Sequence, residues 1–156
     1  MNIEIRKAKT SELKLIQDMN HKLFLWDYAR DSTLNIQWPY QEAGETYFRK
    51  MISGETGVCF VAESDKKLVG YVAGCVRSQI YTYDTVLRCE LENIYVNEDT
   101  RGLGVGKKLV AAFSEWCKEQ GAQSMILDAY YQNEDAIKFY EACNFRPYTL
   151  RLEKPL

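Results

Sequence analysis

The chain has 156 residues, of which 46% are hydrophobic and 27% charged, and its net charge is −2. This is the make-up of a globular chain with enough apolar material for a core, and the length fits a single domain over residues 1–156. No run of five Lys or Arg occurs, which excludes the clustered basic face of a general nucleic-acid binder. With one histidine, His21, neither a His-rich zinc site nor a Ser-His-Asp triad is expected, and no metal is expected. Residues 1–14 lack an apolar leader core, and no apolar run nears the ~18 residues of a membrane span. Cys59, Cys75, Cys89, Cys117 and Cys143 are odd in number, scattered and in no C-x-x-C pair. The expectation is a cytoplasmic protein with reduced thiols and no membrane partner.

In chain order, residues 3–8 alternate as a strand, and Thr10 or Ser11 is placed to cap a helix carrying Leu13, Ile16, Met19, Leu23 and Leu25 or Trp26 at helical spacing. A polar loop follows to Pro39, then a helix over residues 40–53 with Gly54 past its end. Residues 57–64 and 68–76 are two β-rich runs joined by Asp65-Lys66-Lys67, a hairpin. The segment SQIYTYD is a loop or strand edge leading to a strand over residues 86–96. A helix beginning in the glycines is predicted to reach about Gln120, stopped by Gly121. A strand over residues 124–130, a short helix over 134–142 and a final strand in YTLRLEK complete the chain. The order β-α-α-β-β-β-α-β-α-β predicts a mixed, mainly antiparallel α/β (α+β) sheet with helices on both faces.

Two local irregularities stand out. Gly102, Gly104 and Gly106 open a helix although glycine costs about 1 kcal/mol per residue in a helix interior. A Walker A loop and a dinucleotide fingerprint both fail, because the positions that should hold their last glycine are Lys107 or Leu109. What survives is a helix start whose free N–H groups accept a pyrophosphate, with glycines allowing close approach and Arg101 adding charge, or a plain glycine-rich turn. Upstream, the apolar positions Cys89, Leu91, Ile94 and Val96 change spacing from two to three and back. A regular strand keeps period two, so a β-bulge is predicted near Glu92 and Asn93, a device often found beside active sites. If pairing ends there, backbone groups from Ile94 to Val96 are free for an amide-rich ligand.

With these two features in place, LENIYVNEDTRGLGVGKKLV resembles the acetyl-CoA motif of the GNAT superfamily of N-acetyltransferases, a bulged strand followed by Gln/Arg-x-x-Gly-x-Gly/Ala. Arg101, Gly104 and Gly106 match it. The segment YYQNEDAIKFYEACNF resembles the family's Asn-x-x-Ala-x-x-Phe-Tyr-x-x-x-Gly-Phe through Asn133, Ala136, Phe139, Tyr140 and Phe145, with Asn144 in place of Gly. The resemblance implies the GNAT fold with splayed strands at the CoA site, and acetyl transfer from acetyl-CoA to an amine. It implies pantetheine pairing along Ile94, Tyr95 and Val96. Pyrophosphate would lie on the amides of Arg101, Gly102, Leu103, Gly104, Val105, Gly106 and Lys107, with Asn133, Ala136 and Tyr140 beside the pantetheine arm. It allows a homodimer.

The chemistry needs a neutral amine, which is scarce at pH 7 for a group of pKa near ~10.4, so a carboxylate base is sought. The family uses positions corresponding to Glu92 or Glu90; Glu92 is preferred for its likeness to the spermidine/spermine branch. Tyr140 stands where the family keeps the acid that protonates the leaving thiolate. Cys143 lacks a histidine to activate it as a nucleophile. The resemblance implies that the acceptor is bound by the first two helices, their loop and the segment before the bulged strand, which here carry acids (Asp27, Asp31, Glu42, Glu45) and aromatics (Trp26, Tyr28, Trp38, Tyr81, Tyr83). Acid with aromatic suits a cation. The expected acceptor is a small cationic amine such as a polyamine or aminoglycoside, with a protein or peptide amine next. A reading of another class is a non-catalytic acyl-CoA sensor on the same scaffold.

Overall fold

The computed structural model describes residues 2–77 and 86–156. Its elements are β1 (Glu4–Lys7), α1 (Leu13–Tyr28), α2 (Glu42–Ser53), β2 (Val58–Ser64), β3 (Lys67–Val76), β4 (Arg88–Val96), α3 (Val105–Glu119), β5 (Ser124–Ile126) and α4 (Glu134–Glu141). The five strands form one sheet in the order β1-β2-β3-β4-β5, antiparallel except for the parallel pair β4-β5. The mixed, mainly antiparallel α/β architecture read from the sequence is the one found.

Helix and strand boundaries follow local chemistry. The β2-β3 hairpin closes through Asp65 and Lys66, both at positive φ (49° and 63°), which is the twist a two-residue hairpin turn requires. Gly54 at φ 79° ends α2 and Gly121 at φ 78° follows α3, the left-handed exits glycine adopts without steric cost. Before α1 the expected Thr10 or Ser11 cap is replaced. Residues Thr10–Glu12 form a 3-10 turn, and the Glu12 carboxylate accepts the Lys9 N–H at 2.7 Å. Arg6 holds that carboxylate at 2.6 Å and also reaches Glu63, and a charged acceptor outcompetes a hydroxyl.

Consecutive strand residues go to opposite faces, and each face has its own core. Val69, Val72, Leu91 and Cys89 pack against Leu109, Phe113 and Val105 of α3. Val61, Tyr71, Ala73 and Tyr95 pack against Ile16 and Met19 of α1 and Phe48 and Met51 of α2.

Two predicted strands are corrected. The segment after α3 pairs only over Ser124–Ile126, not to residue 130, because its parallel partner β4 is interrupted two residues later by a bulge. YTLRLEK is no strand: residues 146–156 lie outside the sheet. Its alternating Tyr148, Leu150 and Leu152 are 67%, 71% and 83% exposed, so the alternation marks no buried face. The segment SQIYTYD, with Tyr81 and Tyr83, lies outside the described residues.

Candidate active site

The site grows from one extra residue in β4. Ala73 faces Asn93 and Gly74 faces Leu91, so Glu92 has no partner on β3; the bulge inferred from broken alternation is there. A side chain at Gly74 would strike the Glu90 carbonyl and the Phe113 ring, so the strand opposite the bulge must carry glycine. The bulge sends two successive polar side chains to the α1/α2 side of the sheet. The Tyr47 hydroxyl on α2 donates to Glu92 Oε2 at 2.6 Å and accepts from Asn93 Nδ2 at 3.0 Å. Cys75 Sγ lies 3.7 Å from Glu92 Oε1.

Beyond the bulge, β4 has a free edge among the described residues. β5 pairs with Arg88, Cys89 and Glu90 and then stops. The Asn97 N–H donates to Val69 O at 2.9 Å, toward β3; by alternation Ile94 and Val96 turn their N–H and C=O groups to the open side, while Tyr95 pairs with β3. Arg101 Nε takes one of these, the Val96 carbonyl, at 3.0 Å. Its guanidinium lies 5.3 Å from the Trp26 ring and 5.7 Å from the Tyr95 ring. A cleft of about 640 Å³ opens here between Lys22 and Trp26 of α1 and Asn97, Glu98 and Arg101, with Tyr95 in its wall.

The three glycines turn out to have two different reasons. Gly102 (φ 76°) and Gly104 (φ 80°) are left-handed, and a Cβ on either would meet nothing within 4 Å. Gly104 is the N-cap of α3 and supplies no side-chain acceptor; the first amide bonded back into the helix is Lys108, to Gly104 O at 3.1 Å. Val105, Gly106 and Lys107 therefore present their N–H groups outward, where the partial positive charge of a helix start resides, and Leu103 is exposed beside them. Gly106 is different: its Cβ would lie 2.9 Å from the Phe139 ring of α4, so this glycine lets two helices touch.

α4 brings the second candidate group. Asn133 caps it by accepting the Ala136 N–H at 3.2 Å. Asn144 leaves it at φ 68°, with Phe145 N–H bonded to Tyr140 O at 3.0 Å; asparagine does take the left-handed exit in place of glycine. Tyr140 is half-buried between Phe139 and Phe145. Burial pushes its phenol up to about 12, with the nearby charge of Asp27 adding to the shift, so it is a protonated donor at neutral pH.

Asp27 sits at the end of α1. Burial raises its carboxyl, partly offset by Arg30 at 4.0 Å. Asp31 accepts from the Thr33 hydroxyl and N–H, which hold its carboxyl low, and from the Tyr130 hydroxyl at 3.1 Å. Trp26 and Tyr28 are 46% and 43% exposed. Trp38 instead packs against Phe24, Tyr47 and Phe48, and Glu45 pairs with Arg49. Glu90 is half-buried and lies 3.6 Å from Arg77; burial raises its carboxyl and the arginine opposes the shift. Burial likewise raises the Cys143 thiol, which makes it a poor thiolate.

Sequence reasoning missed Tyr47, which bonds Glu92, and Asn93 and Asn20, which continue inward from it. One signal was present. Asn20 stands four residues after Ile16 on the buried face of α1 and is fully enclosed, a polar interruption of an apolar row.

A bulged β4 with a free edge, an uncapped glycine turn and a helix behind it define an acyl-CoA-type transferase fold. A model described as the acetyltransferase (GNAT) family matches residues 20–145, and the chain belongs to that family. An uncharacterized N-acetyltransferase of Methanocaldococcus jannaschii is 31% identical over 99 residues, 64% of this chain; the match spans 43% of that relative's length. N-alpha-acetyltransferase 30 of Schizosaccharomyces pombe is 29% identical over 122 residues, 78% of this chain and 79% of the relative. Among solved structures, the aminoglycoside N-acetyltransferase AAC(6')-Iy in complex with CoA superimposes with a TM-score of 0.79 at 19% identity, over 99% of this chain and 95% of that one, a likeness of fold. Among the described residues no helix is long and apolar enough to cross a membrane.

Proposed function

We propose that this chain transfers an acetyl group from acetyl-CoA to a primary amine by direct attack within a ternary complex. The observation that carries this reading is the continuity of two open backbone surfaces: the edge of β4 that β5 leaves uncovered, with the Val96 carbonyl held by Arg101, runs into the uncapped start of α3. The fit to the cosubstrate rests on that pair and on the open space over Gly102 and Gly104. The edge suits the amides of a pantetheine arm, and the helix start suits a pyrophosphate.

The residues of the chain then divide the work. Glu92, aimed from the bulge, takes a proton from the acceptor ammonium or the attacking amine and becomes a carboxylic acid, which returns the proton to water. Tyr140, protonated by its buried setting, gives a proton to the departing sulfur. Glu90 is already engaged with Arg77, which favours Glu92 as the base. Asp27 and Asp31, with Trp26 and Tyr28 at the same helix end, favour an acceptor with more than one positive charge, such as an aminoglycoside or polyamine. A second reading, a peptide N-terminal amine, is favoured by the extended match to N-alpha-acetyltransferase 30.

CoA thiol release from acetyl-CoA, measured against spermidine, kanamycin and a short peptide with a free N-terminus, tests the proposal. Turnover of a polycation supports it and turnover of the peptide alone selects the second reading. CoA binding without turnover on any amine overturns it in favour of an acyl-CoA sensor.

A further inference from the structure

The hydrogen bonds around Glu92 continue inward from the bulge to the centre of the molecule. Tyr47 Oη donates to Glu92 at 2.6 Å and accepts from Asn93 Nδ2 at 3.0 Å. Asn93 Oδ1 accepts from Asn20 Nδ2 at 3.1 Å, and the same Asn20 Nδ2 donates to Tyr71 Oη at 2.8 Å. Four elements, α1, α2, β3 and β4, each supply a member. Asn20 is enclosed completely, and its Oδ1 has no partner among the described residues. A buried amide kept with one end unsatisfied calls for a role at its other end.

The chain of bonds has a direction. A phenol owns one proton. Because Asn93 Nδ2 can only donate, the Tyr47 proton is free only for Glu92, so the arrangement as it stands fits a charged carboxylate. Turning the amide of Asn93 alone would bring two donors together at Asn20, and turning Asn20 alone would bring two oxygens together at Asn93. Turning both restores every bond between them. In that second arrangement Tyr71 donates to Asn20, Asn93 donates to Asn20, and Tyr47 donates to Asn93. Tyr47 Oη then has only lone pairs left for Glu92, which can meet it only as a protonated acid. Each arrangement therefore matches one protonation state of Glu92.

We propose that Tyr47 is a positioning residue for Glu92, and that Asn93, Asn20 and Tyr71 form a reversible hydrogen-bond chain that lets Tyr47 hold the carboxyl in place both before and after it takes a proton. This rests on the reading of Glu92 as the base. The protons do not travel along the chain; the donors and acceptors exchange places. A base needs this property because it must keep its position while its charge changes within one turnover. The titratable and charged groups recorded around Glu92 are Tyr47 from α2, Cys75 from β3 and Glu90 on β4 with its partner Arg77; Tyr71 closes the inner end.

The test uses the full chain without an acceptor. Carbon-detected NMR on protein labelled at the glutamate side-chain carboxyl follows Glu92, assigned by the signal lost in Glu92→Gln. In the parent, the side-chain amide signals of Asn93 and Asn20 should move over the same pH interval as the Glu92 carboxyl signal. Tyr47→Phe removes the link between the carboxyl and the chain, so in that variant the Glu92 carboxyl signal and the Asn93 and Asn20 amide signals should change independently. Asn93→Ala, which frees the Tyr47 proton from its fixed direction, should uncouple Asn20 from that interval and serves if Tyr47→Phe folds poorly. Kinetically, Tyr47→Phe should lower kcat about tenfold with the acetyl-CoA KM unchanged, and add nothing in a Glu92→Gln background. Parent amide signals indifferent to the protonation of Glu92, or a Tyr47→Phe protein whose amide signals still follow it, overturn the proposal even if Glu92→Gln is crippled. If Glu92→Gln keeps full kcat on an amine that the parent acetylates, the assignment of the base has failed, while the NMR coupling still reports on the chain.

Discussion

Gly104 and Gly121 bracket α3 with nearly the same backbone, φ 80° and 78°, and a Cβ on either meets nothing within 4 Å. Alanine at either position therefore meets the same obstacle, the left-handed conformation, at roughly 1–2 kcal/mol. The loss of glycine's freedom in the unfolded chain returns about 0.4–1 kcal/mol. The net is about 1 kcal/mol, or about 2–4 °C in Tm for a chain of this size, and it should be equal in the two variants. Only Gly104 lies over the uncapped amides of α3. At a CoA concentration of about 100 Kd the ligand stabilises by about 2.7 kcal/mol, a rise of about 5–11 °C on the same scale. Gly121→Ala should keep that rise. Gly104→Ala places a methyl where the pyrophosphate approaches; a tenfold weaker Kd removes about 1.4 kcal/mol, or about 3–6 °C of the rise. Thermal unfolding with and without CoA reads both quantities at once. If the two variants lose equal Tm and respond equally to CoA, the pyrophosphate does not sit on these amides.

Three further outcomes follow from other contacts. Gly106→Ala should destabilise by about 1–3 kcal/mol through overpacking against Phe139 and lower kcat by displacing the neighbouring Tyr140; Phe139→Leu in the same chain should restore both, as read by Tm and thiol release. Tyr140→Phe should lower kcat about a hundredfold or more with CoA affinity retained in calorimetry. Because burial and Asp27 hold the Tyr140 phenol at about 12, loss of its proton should not limit the rate below about pH 11, and Asp27→Asn should draw the basic limb of the kcat profile to lower pH. Arg6→Met should cost about 2 kcal/mol at pH 7 by stripping Glu12 of its charged partner. Glu12 is held below its ordinary value, mainly by the Arg6 hydrogen bonds. Its contribution is present above the unfolded carboxylate value and is lost as pH falls through the folded one. The gap between parent and variant in chemical denaturation should therefore narrow as pH falls below the ordinary carboxylate range and close once Glu12 is protonated in the folded chain.

What could be read from the sequence was what the backbone demands locally. The spacing of Cys89, Leu91, Ile94 and Val96 announces the bulge because alternation is a property of one strand alone. Gly102, Gly104 and Asn144 announce left-handed positions because few residues tolerate them. Where a demand is met from a distance, sequence falls silent. Tyr47 reaches Glu92 across 45 residues and Asn20 reaches Asn93 across 73, and in isolation a helix tyrosine reads as core. The same limit misled at the C-terminus. Tyr148, Leu150 and Leu152 alternate as a strand would, but alternation describes a face and cannot supply a neighbouring edge, and β5 pairs over three residues only. At the start of α1 a hydroxyl cap was plausible until Arg6 and Glu63, 57 residues apart, fixed the charge network around Glu12.

The bulge joins the legible and the illegible parts of the site. One inserted residue has two consequences that are usually separate. Along the strand it breaks the ladder, so β5 parts from β4 after Glu90 and the backbone of Ile94 and Val96 is left facing outward. Across the strand it sets Glu92 and Asn93 on the same side of the sheet, where regular alternation would have divided them, and Tyr47 can bond both. The free edge is where a cosubstrate can lie, and the doubled polar face is what can aim a base at it. Removing the extra residue would restore the pairing and at the same time turn either Glu92 or Asn93 toward the α3 side, into the core around Leu91, Ile94 and Phe113. The donor edge and the candidate base therefore stand or fall on a single irregularity of the backbone.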